Sequence, residues 1–226
     1  MSADQGGRQF PVDRLDPASR CLIGEVINGY TTVGVMGPIR IPIALDLYVY
    51  LIDRPVLLAS LLRQLDMAKY ELSPKGPNQY WVDDGDGTQG LLTLLYHDQT
   101  SRIYHVEGYY QGRLFPMVRG RATLFLKLAP VGGPDTSAVS ASLVVYTRLN
   151  NPVLARLVRI LRGLVGDAVT RKLVRGFELT NQLGKRIAAS PGLILQQVNA
   201  LPSFDPTDGQ TLKWLLQPQR AAPVAP

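Results

Sequence analysis

"LVVYTRLNNPVLARLVRILRGLVGDAVTRKLVRGFELTNQL", residues 143–183, changes its periodicity part-way along. Up to Leu149 it is short and rich in β-branched and aromatic residues, the composition of a strand. Beyond Pro152, leucine and valine recur at helical spacing with basic residues between them. The stretch therefore reads as a last strand that passes through Asn150-Asn151-Pro152 into terminal helices. Leu154, Leu157, Val158, Leu161, Leu164, Val165 and Ala168 share one face. Val169, Leu173, Phe177, Thr180 and Leu183 follow a face rotated away from it, and Gly163 and Gly166 precede the change. A break is cheap at such glycines, so a short helix over about 152–163 and a longer one over about 167–189 are expected. Pro191 should end the second.

Working back, residues 70–149 read as five or six antiparallel strands. Turns fall at Pro74-Lys75-Gly76, the Asp-Gly pairs of residues 84–87, Asp98–Ser101, Gln111-Gly112 and Gly132-Gly133-Pro134. Before them, "DRPVLLASLLRQLDM" (53–67) reads as a helix with Asp53 as its cap, Pro55 in its first turn and an apolar stripe of Leu58, Leu61, Leu62 and Leu65. A strand is expected over about 43–52, with less regular extended chain ahead of it. Strand, helix, a meander of strands and terminal helices make an α+β arrangement, in which a curved antiparallel sheet can wrap one long helix.

Hydrophobic residues make up 46% of the 226 and charged residues 19%, which suits a folded domain with a real core and excludes a disordered chain. The longest apolar runs, such as Leu47–Ile52, fall far short of the roughly 20 residues a membrane helix needs. The first residues show no secretion signal, and Cys21 alone precludes an internal disulfide, so a cytoplasmic setting is the simplest expectation. Residues 1–20 and 201–226 are polar or Pro-rich and are expected to be flexible, flanking one domain over 21–200. The net charge of +6 favours anionic surfaces only weakly. Arg156, Arg159 and Arg162 lie opposite the first helical stripe, where they could touch anionic lipid or face water as an ordinary helix surface. Basic residues here lack interleaved aromatics, so no nucleic-acid partner is expected.

"TLLYHDQTSRIYHVEGYY" (93–110) holds both histidines. Alternation puts Ile103, His105, Glu107 and Tyr109 on one side, and Tyr104, Val106 and Tyr110 on the other. An inward first set would offer His105, Glu107 and Tyr109 for acid–base chemistry. Because an unpaired buried Glu is costly, alternation favours the second set inward and the first towards solvent. In "VRGRATLFLKL" (118–128) the inward set is Val118, Gly120, Ala122, Leu124 and Leu126, with Gly120 and Ala122 leaving room for a ligand or a helix. Arg119 and Arg121 then point outward, although an inward arginine would suit a carboxylate or phosphate headgroup. Asp83, Asp84 and Asp86 read as a tight turn before they read as a calcium loop, and no metal or cofactor is expected. Trp214, beside Lys213 in "TLKWLL" (211–216), could meet a bilayer or fold back on the domain.

"LDLYVYLIDRPVLLASLLRQLDMAKYEL" (45–72) and the stretch quoted first resemble, in their order of elements, the START-like (SRPBCC, helix-grip) superfamily, which includes polyketide cyclases and pollen-allergen-type ligand carriers. The resemblance covers roughly residues 43–189. It implies an internal apolar cavity, lined by residues such as Tyr104, Val106, Tyr110, Gly120, Ala122, Leu124, Leu173 and Phe177. The leading expectation is a non-enzymatic protein that binds, and carries to or from a membrane, a hydrophobic or lipid-like molecule. The alternatives are a cyclase- or aromatase-like enzyme using His105 and Glu107, and a protein-interaction module with a closed interior.

Overall fold

A computed structural model describes residues 10–111, 117–132, 138–151, 162–201 and 206–216. The meander resolves into six strands: β2 (Glu71–Gly76), β3 (Gln79–Asp83), β4 (Thr88–His97), β5 (Ser101–Tyr110), β6 (Val118–Val131) and β7 (Ala138–Leu149). An earlier strand, β1 (Thr32–Ile41), pairs with β7, giving one antiparallel sheet in the order β1-β7-β6-β5-β4-β3-β2. The first turn of the meander falls one step later than expected. β2 continues through Gly76, and Asn78 takes the left-handed conformation at φ 57°.

The strand expected over 43–52 is a helix, α2 (Leu45–Ile52). Its aromatic and β-branched content pointed to a strand, but Leu47, Tyr48, Tyr50 and Leu51 are buried together, which is the spacing of a helical stripe. Burial against neighbours overrides intrinsic strand preference here. The extended chain lies ahead of it, in β1. Helix α3 (Pro55–Gln64) starts with Pro55 as expected and buries Leu61 and Leu62, while Leu65 just beyond it is also buried. Its cap position is Arg54, without a capping side chain; Asp53 is committed elsewhere.

Three glycines stand directly opposite one another on β4, β5 and β6: Gly90 faces Gly108, and Gly108 faces Gly120. A Cβ at Gly108 would lie 2.3 Å from the Gln89 carbonyl oxygen, one at Gly90 2.7 Å from that of Glu107, and one at Gly120 2.9 Å from that of Arg148. Flat antiparallel neighbours keep opposed Cβ atoms about 4.5–5.5 Å apart, so the backbones here close in on the face that lacks side chains. That face is the concave one. The small size of Gly120 thus serves the approach of β7, where the sequence suggested room for a ligand or helix.

Across the concave face runs α4 (Arg162–Ala189), which starts ahead of the expected 167 and continues through Gly163 and Gly166, where a break was expected. The expected helix over 152–163 lies almost wholly outside the described residues. Phe177, Leu179, Leu183 and Ile187 of α4 pack with Leu47 and Leu51 of α2 and Leu61 and Leu62 of α3. Pro191 ends α4 as expected and opens α5 (Pro191–Asn199). A last helix, α6 (Pro206–Leu216), adds Leu212 and Leu216 to the same core, so the 201–226 segment is structured well past its expected boundary. Trp214 and Lys213 point outward. The fold class is the expected one: an α+β curved antiparallel sheet gripping a long C-terminal helix. No helix among the described residues is long and apolar enough to cross a membrane.

The convex face is covered too. Helix α1 (Pro17–Asn28) is capped by Asp16, which accepts from the Ser19 amide at 2.9 Å. Its Ile23 and Val26, with Leu15, pack on Ile103, Phe125, Val144 and Tyr146 of the sheet. Phe10 meets Phe125 with tilted rings, their centroids 4.9 Å apart. The N-terminal segment expected to be flexible is therefore structured from residue 10 onward, because its sparse apolar residues find a second apolar face to cover.

Gly108→Ala should force the β4–β5 backbones apart and lower stability by about 2 kcal/mol or more, a melting-point loss of roughly 4–8 °C. Gly24, inside α1, has nothing within 4 Å of a built Cβ. Gly24→Ala should therefore raise the melting point slightly. Equal effects in thermal melts would contradict the bend.

Candidate functional site

β5 separates two chemistries by alternation. Arg102, Tyr104 and Val106 project to the concave side, with Leu124 opposite Tyr104 and Ala122 opposite Val106 on β6. Leu94 and Leu92 stand opposite the same two residues on β4, and Tyr80 opposite Leu92 on β3. The result is a patch of apolar and phenolic side chains, all only half-buried. It contains Tyr104, Val106, Ala122 and Leu124 of the residues expected to contact a ligand. Gly120 belongs to the bend. Tyr110 is at the rim, with the Lys172 ammonium 5.5 Å from its ring centroid. Phe177 is buried in the α2–α3–α4 core, and the side chain of Leu173 lies outside the described residues.

At one end of this face is a cavity of about 160 Å³, bounded by Ile52, Pro55, Leu94, Tyr80, Tyr104 and Asn78, with His97 and Asp53 at its edge. Beside it, Arg102 is almost wholly buried and donates from Nε and Nη2 to the two oxygens of Asp53, each at 2.8 Å. Its Nη1 donates to the carbonyl oxygens of Ser101 and Asp98. A bidentate pair with every guanidinium nitrogen engaged is the one form in which a buried arginine is tolerable. Burial pushes the Tyr104 phenol above its ordinary value, against a smaller opposite pull from Arg102. Tyr48, deeper in α2, is pushed up to about 12 by burial, with a hydrogen bond to Thr180 opposing. A larger cavity of about 250 Å³ lies outside this region, between α3 and β2, and is walled by polar groups including the Arg63–Glu71 pair.

The free side of α4 is clasped by the β3–β4 turn. Lys172 donates to Asp84 and, at 2.6 Å, to Thr88, and Arg175 donates to Asp86 at 2.7 Å. Asp84 also accepts from the amides of Asp86 and Thr88, so its oxygens shape the turn and hold the helix. Burial raises its pKa, but Lys172 and the amides together outweigh burial and hold the carboxyl below the usual carboxylate range.

His105, Glu107 and Tyr109 are on the convex face, away from the cavity. Glu107 accepts from Arg121 at 3.4 Å, and Arg121 also donates to Glu25 of α1 at 2.8 Å. Tyr109 donates to Gln89 at 2.5 Å. The sequence suggested that this face meets solvent, but α1 covers it and His105 is buried. Neither ring nitrogen of His105 nor the hydroxyl of Thr123 opposite it has a hydrogen-bond partner among the described residues. Arg119 is exposed, whereas Arg156 and Arg159, and the side chain of Arg162, lie outside the described residues. Alternation alone puts Arg102 beside Tyr104, but its partner Asp53 is 49 positions away, and no local pattern in the sequence pairs them.

No family model matches the chain, and no curated protein matches it. Among solved structures it is similar to norcoclaurine synthase of Thalictrum flavum. A point mutant of that enzyme with a transition-state analogue is 20% identical at a TM-score of 0.43, over 69% of this chain and 96% of that one. A truncated form is 17% identical at 0.41, over 67% and 93%. Likeness at this level carries no chemistry from those proteins to this one.

Burial lowers the pKa of His105 below its ordinary 6.5 and Arg121 adds to this, while the Glu107 and Glu25 carboxylates oppose it. In the unfolded chain the imidazole binds its proton near 6.5, so its contribution to stability is complete above that pH. It is lost as the pH falls from 6.5 through the folded value. His105→Phe should therefore narrow the difference in melting temperature between pH 7.5 and pH 5.5. An unchanged difference would contradict the burial of a neutral imidazole.

Proposed function

We propose that the protein binds a hydrophobic or lipid-like small molecule between the concave face and α4. What supports the reading is the patch of Leu92, Leu94, Tyr104, Val106, Ala122 and Leu124, which stays half-buried although it lies on the inner side of a bent sheet. Apolar side chains facing inward without being fully covered gain roughly 25 cal/mol for each Å² an apolar ligand removes from water. Concave apolar sites with a few polar groups are the usual form of small-molecule sites. Basic residues of the region before and within α4, Arg156, Arg159 and Arg162, would add weak attraction to an anionic membrane, where such a cargo could be collected or released. A cyclase-like enzyme built on His105, Glu107 and Tyr109 is not favoured, because those residues face α1.

Organic extraction and native mass spectrometry of the purified protein should release a hydrophobic compound. Leu124→Trp, which fills the patch, should reduce its occupancy several-fold with an unchanged circular dichroism spectrum. Sedimentation with anionic vesicles should occur at low salt and disappear as salt screens the attraction. A protein that is ligand-free and takes up no hydrophobic molecule from a mixed lipid extract would overturn the reading.

A further inference from the structure

The kind of polar group such a ligand carries follows from the cavity at one end of the concave face, and this step rests on the binding reading above. The walls of the 160 Å³ cavity are apolar at Ile52, Pro55 and Leu94. The rest of its lining is polar: Asn78, Asp53 and His97 together with two phenols, Tyr80 from β3 and Tyr104 from β5, which are electrostatic neighbours. Neither hydroxyl has a hydrogen-bond partner among the described residues. A phenol O–H on the wall of a partly open, largely apolar cavity is free to donate to a ligand oxygen that accepts it.

The charged groups nearby do not welcome an ion. Asp53 is neutralised through both oxygens by Arg102, and the Arg102 nitrogens are all engaged, by Asp53 and by the carbonyls of Ser101 and Asp98. The Arg102 side chain is only 1% exposed and does not line the cavity, so its guanidinium is out of reach of a carboxylate or phosphate, and such an anion would meet the partly exposed Asp53 carboxylate instead. A cation would find that carboxylate already paired. His97, at the rim, is exposed. A neutral carbonyl or hydroxyl is the group that matches two phenol donors beside a closed ion pair.

We propose that the cavity selects uncharged apolar ligands bearing a carbonyl or hydroxyl oxygen, which Tyr104 and Tyr80 hold by hydrogen bonds at this end of the concave face. Fatty-acid carboxylates and phospholipid headgroups are disfavoured at that end.

The test uses five probes of similar size on the full chain: naphthalene, acetylnaphthalene, naphthol, naphthoate and naphthylmethylammonium. Acetylnaphthalene and naphthol should bind roughly fivefold to tenfold tighter than naphthalene, the worth of about one net hydrogen bond. The two ions should bind more weakly than naphthalene. Tyr104→Phe keeps the ring, so it should leave naphthalene binding unchanged and remove most of the preference for the ketone. In the infrared, the acetylnaphthalene carbonyl band should move to lower frequency on binding the wild type, and less in Tyr104→Phe and Tyr80→Phe. Naphthoate binding as tightly as the ketone, or a preference untouched by both substitutions, would overturn this inference while leaving the binding reading intact. If none of the five binds, both fall together.

Discussion

Where β4, β5 and β6 cross the Gly90–Gly108–Gly120 row, their backbones come closer than any side chain allows. This contact sets the curvature of the sheet, and most of the molecule follows from it. A sheet folded towards one face has a concave side that a single helix can cross and a convex side left to be covered separately. The two apolar clusters divide along that line, one joining α2, α3 and α4 to α5 and α6, the other joining α1 to the outer face.

The helix crossing the concave side is held differently at its two ends. Towards its C-terminus, Phe177, Leu183 and Ile187 are locked into the α2–α3 core. Arg186 ties it further by donating to the Leu65 carbonyl at 3.0 Å. Around Lys172 and Arg175 it is held by charge-assisted bonds to Asp84 and Asp86 in the β3–β4 turn. Lys172 and Arg175 are about half-exposed, and exposed pairs of this kind contribute little each. Among the described residues, α4 is thus fixed by burial towards its C-terminus and by weaker surface pairs around Lys172 and Arg175.

Much of this was legible in the residues. Period-two segments between turn signals located all six strands of the meander, and alternation on β5 separated Tyr104 and Val106 from His105 and Glu107. Three things were not legible, each for a physical reason. α2 resembles a strand in composition, and only burial against α3 and α4 decides its helix. The first 20 residues looked too polar to fold, yet Phe10, Val12 and Leu15 suffice once the convex face offers them Phe125 and Tyr146. The Arg102–Asp53 pair, next to the phenols, joins β5 to the α2–α3 junction across a separation that no window of sequence spans. The glycines were visible singly, but their alignment in one row depends on the register of three strands.

The central claim is that the bend leaves an apolar hollow between the concave face and α4. Crystals pressurised with xenon test it directly, because xenon occupies dry apolar cavities and reports their position by its scattering. Ordered xenon beside Leu94, Tyr104 and Leu124, displaced when the site is filled, is the predicted result. A xenon-free concave face with α4 side chains packed solidly against those three residues would contradict it.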